Sequence, residues 1–208
     1  VVKDRQQVFV GPVSANKWVR AKVLRVDAVN DLALLKGPKL GRGLEVAEWS
    51  DVPIGLEVYA IGYPRPKLMG LSKKITQGIV NGDRHESGDE GFFQFSAEIQ
   101  KGNSGGPVVA PDGSVIGVVQ RKLDALKLAE RSRDLPQNVN YALKSSVLLR
   151  FLRDGGVDIK ARRVDLTVNA RPFEVFRRVE DSVVAVMAID KLPDNAAGQS
   201  EAATELWR

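Results

Sequence analysis

The stretch EIQKGNSGGPVV, Glu98 to Val109, sets one hydroxyl, that of Ser104, among glycines and then returns at once to an apolar run. A serine hydroxyl becomes a nucleophile only when a base removes its proton. The oxyanion that its attack creates needs N–H donors already aimed at it. A glycine-rich bend meets the second need, because backbone free of side chains can turn several N–H groups into one small space. On this logic the amides of Gly102 and Ser104 form the oxyanion hole, and Ser104 Oγ faces the same space. Gly105 and Gly106 let a substrate and the next strand come close. The plainer alternative is a bend between two strands with an incidental serine. A phosphate loop would end in Gly-Lys-Ser/Thr and open a helix, whereas this run leads into a strand. The one histidine, His85, lies in the charged loop GDRHESGDEG, the usual setting of a solvated histidine.

The elements around the serine read as short strands. Val8 to Val10 is one, and WVRAKVLRV (Trp18 to Val26) alternates Val19, Ala21 and Val23 against Arg20 and Lys22, the period of a half-buried strand. DLALL and LEVYAIGYP follow, the second stopped by Gly62 and Pro64, then KITQGIV and FFQFSAEI. GPVVAP and SVIGVVQ flank Asp112-Gly113, a hairpin turn pair. NVNYALK is a further strand. SSVLLRFLRDGG reads as a helix that its serines could cap, with Val147, Leu148, Phe151 and Leu152 inward. RPFEVFRRVEDSV repeats the helical period through Phe173, Phe176, Val179 and Val183, with Pro172 in the first turn, and VVAVMAI after it reads as a strand. Arg121 to Asp134 is polar and helix-prone, an exposed insertion.

Composition narrows the function classes. The chain has 208 residues and a net charge of +5, enough length for one large domain or two small ones. Its basic residues are scattered, without the dense stripe of a nucleic-acid binder. It has no cysteine, so no disulfide or thiolate metal site forms, and no run has metal-ligand spacing. No cofactor is implied. No apolar run is long enough to span a bilayer as a helix.

GNSGGPVV, followed by DGSVIGVV and NVNYALKSSVLLRFL, resembles the second barrel of the chymotrypsin-fold serine proteases, and most of all their cysteine-free HtrA-like, trypsin-like branch. NDLALLK resembles that family's catalytic-aspartate strand, and VYAIGYP the strand closing its first barrel. The resemblance runs from Val1 to about Ile159. It implies an all-β fold of two antiparallel β-barrels, the first incomplete, with a C-terminal helix and an extra helix-strand tail. The parts would be 1–85, a partial first barrel; 86–160, the barrel bearing the nucleophile; and 161–208, the tail. It makes Asp31 the acid that accepts the imidazole N–H. The alternatives are a turn role for Asp31 and, as acid, Asp27, which lacks the DLALL context. The family's histidine precedes its aspartate, so His85 is misplaced for the base. The chain's opening Val-Val matches the end of the family's HVV, which places the general base immediately before Val1. The fragment alone is then expected to be nearly inert. The tail FRRVEDSVVAVMAI resembles the helix and strand that open such domains. It could begin a second module, fill the vacant first-strand slot in its own or a neighbouring molecule, or be an unrelated helix and strand.

By the same resemblance the specificity pocket is walled by Glu98 and Ile99 and by Val119, Gln120 and Arg121. Alternation puts Glu98 on the face opposite Ile99 and Ala97, which favours Ile99 and a small or medium apolar substrate side chain. The expected partner is a protein or peptide substrate, not nucleic acid. Family members are often exported and often trimeric, which implies an extracytoplasmic setting and a homo-oligomer. The rival reading is a protease-fold binding module that keeps GNSGG as a turn.

Overall fold

The structure is a computed structural model and describes residues 7–11, 18–65, 72–83, 90–122 and 139–189. Strands dominate, as the turn-separated apolar runs require. β1 (Gln7–Gly11), β2 (Val19–Asp27) and β3 (Leu32–Lys36) join β10 (Ala185–Ile189) in an antiparallel sheet ordered β10-β1-β2-β3. β4 (Glu57–Gly62), β5 (Lys74–Gly82), β6 (Phe92–Phe95), β7 (Pro107–Val109), β8 (Val115–Lys122) and β9 (Asn140–Lys144) close into a barrel ordered β4-β5-β6-β9-β8-β7. Two α-helices are described, α1 (Ser145–Asp154) and α2 (Pro172–Val179). The fold is all-β, as the sequence implies, with one closed barrel and one four-stranded sheet.

The sheet membership of one strand differs from expectation. LEVYAIGYP does not close the first sheet. β4 pairs with β5 through Tyr59↔Gln77 and with β7 through Tyr59↔Val109, so it belongs to the closed barrel. Val58 to Gly62 are buried along the whole strand. A strand covered on both faces shows no alternation, and nothing in its letters tells which sheet will take it. Barrel strands therefore run from Glu57 to Lys144.

The barrel interior is filled by Val58, Ala60, Val80, Phe93, Phe95, Val108, Ile116 and Val119, all fully or almost fully buried. Gly117 on β8 is glycine for space: a Cβ there would meet the Phe93 ring at 2.4 Å. The expected hairpin joins β7 to β8, with Gly113 at φ +85° and Asp112 Oδ1 accepting the Ser114 N–H at 2.9 Å.

Both helices form where their periods place them, but their faces differ. β9 runs directly into α1, so Lys144 stands at the N-cap and the serines cap nothing; Ser145 is already helical and buried. Leu149 is buried beside Phe151, because α1 touches two core clusters and so buries a wider arc. In α2, Pro172 opens the helix and the Glu174 carboxylate accepts the Arg171 N–H at 2.8 Å. Phe173 is exposed, with the Arg171 guanidinium 4.5 Å from its ring centre, and Val175 takes the buried place.

The tail strand β10 pairs with β1 along its whole length, from Gln7↔Ile189 to Gly11↔Ala185. Of the three readings of the tail, this pairing favours filling the first-strand slot within the same chain. Val175, Val179, Val183, Ala185 and Met187 join Phe9, Tyr59, Ile61 and Val109 in one buried cluster. Polar contacts anchor it: the Tyr59 hydroxyl donates to Ala170 O at 3.2 Å, Tyr63 to Val183 O at 3.4 Å, and Ser182 to Arg42 O.

Candidate active site

The Ser104 turn is built by backbone hydrogen bonds. Asn103 N–H donates to Gln100 O at 3.0 Å and Gly106 N–H to Asn103 O at 2.9 Å. Gly105 N–H donates to Val119 O at 2.8 Å, and Val119 N–H returns to Gly106 O at 2.9 Å, so β8 fastens the turn. Gly102 sits at φ +103°, and a Cβ on it would lie 2.2 Å from Tyr63 O. Only glycine meets both demands. Beneath the turn, Arg65 N–H donates to Lys101 O at 2.7 Å. Asn103 is buried and Ser104 is exposed. The amides of Asn103, Gly105 and Gly106 are engaged, while those of Gly102 and Ser104 have no acceptor among the described residues. Ser104 Oγ donates to Gln120 O at 3.3 Å.

The second corner joins β2 to β3. Asp27 Oδ1 accepts the N–H groups of Val29 and Asn30, each at 3.0 Å, and Oδ2 accepts Asn30 Nδ2 at 2.7 Å. The Asn30 side-chain amide, followed by the Asn30 backbone N–H, holds the Asp27 carboxyl below its ordinary range. Asp27 is thus the turn aspartate. Asp31 is exposed, with φ at +50°, a left-handed conformation uncommon outside glycine. The corner and the serine turn meet at Gln120, whose Nε2 donates to Asn30 O while its carbonyl takes the Ser104 hydroxyl.

Of the residues expected to wall a specificity pocket, Ile99 and Val119 are buried in one cluster and Glu98 is exposed, in keeping with the alternation. The Glu98 carbonyl accepts the Thr76 hydroxyl at 2.7 Å. Gln120 is half-buried and engaged with Asn30. Arg121 pairs with Tyr141 on β9, and its side chain is outside the described residues, as are His85, Val1, Val2 and the stretch from 123 to 134. Sequence reasoning missed Asn140. It is buried, and its Nδ2 donates to Ala97 O at 2.8 Å, supporting the strand end that leads to Ile99. A polar residue opening the apolar strand NYALK was the available signal. Among the described residues no group of His, Cys, Asp and Glu could hold a metal ion.

Residues 1–118 match the family described as trypsin-like peptidase domain. An uncharacterized protein, y4bJ, of Sinorhizobium fredii is 39% identical over 137 residues, 66% of this chain and 22% of that protein. The serine endoprotease DegS of Escherichia coli is 30% identical over 164 residues, 76% of this chain and 44% of its own. The serine protease Do-like HtrA of Bacillus subtilis is 33% identical over 138 residues, 62% of this chain and 28% of its own. The chain therefore spans less than half the length of these relatives. The crystal structure of a serine endoprotease from Yersinia pestis superposes with a TM-score of 0.58 at 24% identity, covering 74% of this chain and 50% of that one.

Proposed function

This chain belongs to the trypsin-like peptidase domain family, and from that membership we propose that it carries the nucleophile and acid of a serine endopeptidase. The observation that carries the reading is the pattern of amides around Ser104. The turn engages its neighbours and leaves the N–H groups of Gly102 and Ser104, the pair suited to an oxyanion. Ser104 Oγ releases Gln120 O, passes its proton to an imidazole and bonds to the substrate carbonyl carbon. The C–N bond then breaks, the departing amine takes the proton, and water hydrolyses the acyl-enzyme. Asp31 accepts the imidazole N–H and stabilises the imidazolium. This reading requires an imidazole that reaches both Asp31 and Ser104 as the general base. By the family resemblance Ile99 walls the pocket, which favours a small or medium apolar residue ahead of the scissile bond.

A fluorophosphonate probe on the full-length protein tests the assignment. Labelling at Ser104 is expected, and Ser104→Ala removes it and lowers peptide hydrolysis by about 10⁴-fold or more. Absence of labelling in the parent protein would assign the fold to binding instead.

A further inference from the structure

We propose that Gln120 is a positioning residue that sets the placement of Asp31 relative to Ser104; the proposal rests on the protease reading of those two residues. Gln120 acts through both of its ends. Its carbonyl accepts the Ser104 hydroxyl at 3.3 Å, and its side-chain Nε2 donates to the carbonyl of Asn30. That carbonyl belongs to the peptide plane whose nitrogen is Asp31 N. Holding the plane fixes the starting point of the rotation that puts Asp31 at φ +50°.

The other bonds at this corner do a different job. Those that Asp27 accepts from Val29 and Asn30 close within the turn, so they shape it without locating it against β8. Leu32 is packed in a cluster with Leu143 and Phe151, which anchors the strand through contacts that have no preferred direction. The Gln120 bond is directional and crosses between the two sheets.

β8 makes this reach possible. The pairing of β8 with β9 shifts register between Val119 and Arg121, leaving Gln120 as the bulged residue. A bulge re-aims a side chain that regular pleating would point elsewhere. The chemistry is also selective. The target is an acceptor, so the side chain must donate: an amide can, an ionised carboxylate cannot. Asparagine is one methylene shorter.

Steady-state kinetics and amide exchange on the full-length protein test the role. Gln120→Ala and Gln120→Asn are each expected to lower kcat by about 10- to 100-fold with KM within about twofold, the signature of a misplaced catalytic group. A mere pocket wall would move KM and the preferred substrate side chain instead, and that result overturns the proposal. In Gln120→Glu, the ratio of variant to parent kcat should rise as pH falls toward the ordinary glutamate pKa of about 4.3, because the protonated acid can again donate to Asn30 O. A flat ratio counts against it. Amide exchange at Asn30 to Leu32 should quicken about 10-fold in Gln120→Ala, with protection of β6 and β9 unchanged as the check on folding. Unchanged exchange at that corner overturns the proposal whether or not the protein hydrolyses peptides. Absence of Ser104 labelling in the parent fails the protease reading alone, and the exchange result still shows whether Gln120 holds the corner.

Discussion

Asp27 and Asp31 are the same residue type at two ends of one turn, and their surroundings divide the work between them. Asp27 accepts three hydrogen bonds inside the turn; Asp31 is left exposed on a left-handed backbone. Asp27→Ala should therefore destabilise the corner by about 1 kcal/mol, the worth of a charge-assisted bond reduced by its partial exposure. The sign of the pH dependence follows from the depressed carboxyl. In the unfolded chain Asp27 titrates at about 3.9, and in the folded chain lower. Its contribution is full above the unfolded value and is lost as pH falls through the folded one. Denaturant melts of parent and Asp27→Ala should thus differ at pH 6 and converge toward pH 2. At the other corner, Gly102→Ala must put a Cβ at a positive φ and 2.2 Å from Tyr63 O. Loss of probe labelling with an intact barrel circular-dichroism spectrum is the expected result.

At the scale of elements, the tail is part of the fold and not an appendage. β10 covers an edge of β1, and Met187 is buried in the largest core cluster while Val186 on the same strand is exposed. Met187→Ala should cost about 2–5 kcal/mol, and Val186→Thr within about 0.5 kcal/mol; urea unfolding midpoints separate the two. The hydrophobic period of α2 was plain in RPFEVFRRV, yet its outermost member was misjudged. Phe173 has an aromatic ring that two arginine side chains cover at the surface, so it need not turn inward. The serines of α1 signalled a cap that a helix following directly from a strand does not use.

Across the whole molecule the two sheets differ in closure. The six-stranded barrel leaves none of its strands with an open edge, whereas the four-stranded sheet depends on a tail strand distant in sequence from its partner. Exchange protection should accordingly be greatest in β4 to β9 and lower in β1, β2 and β10. Deleting Pro172 to Ile189 should strip protection from β1 and β2 before it reaches β6 and β9, which hydrogen-exchange mass spectrometry would read directly. A uniform loss would mean that the sheets unfold as one unit. The Tyr63 hydroxyl donates to Val183 O, and the Tyr63 carbonyl lies against Gly102, so one residue touches both the tail and the serine turn.

What the letters alone determined was local. The strands, the Asp112-Gly113 turn, the glycine bend at Ser104 and the periods of both helices follow from propensity, sterics and alternation within a few residues. The family was also legible, because GNSGGP and NDLALL stand in order. What only the tertiary structure decided was partnership across long separations. β4 went to the barrel, β10 went to β1, Asp27 took the turn bonds from Asp31, and Gln120 reached Asn30 across ninety residues. Such pairings depend on closure and directional bonding in three dimensions, and no periodicity along one strand records them.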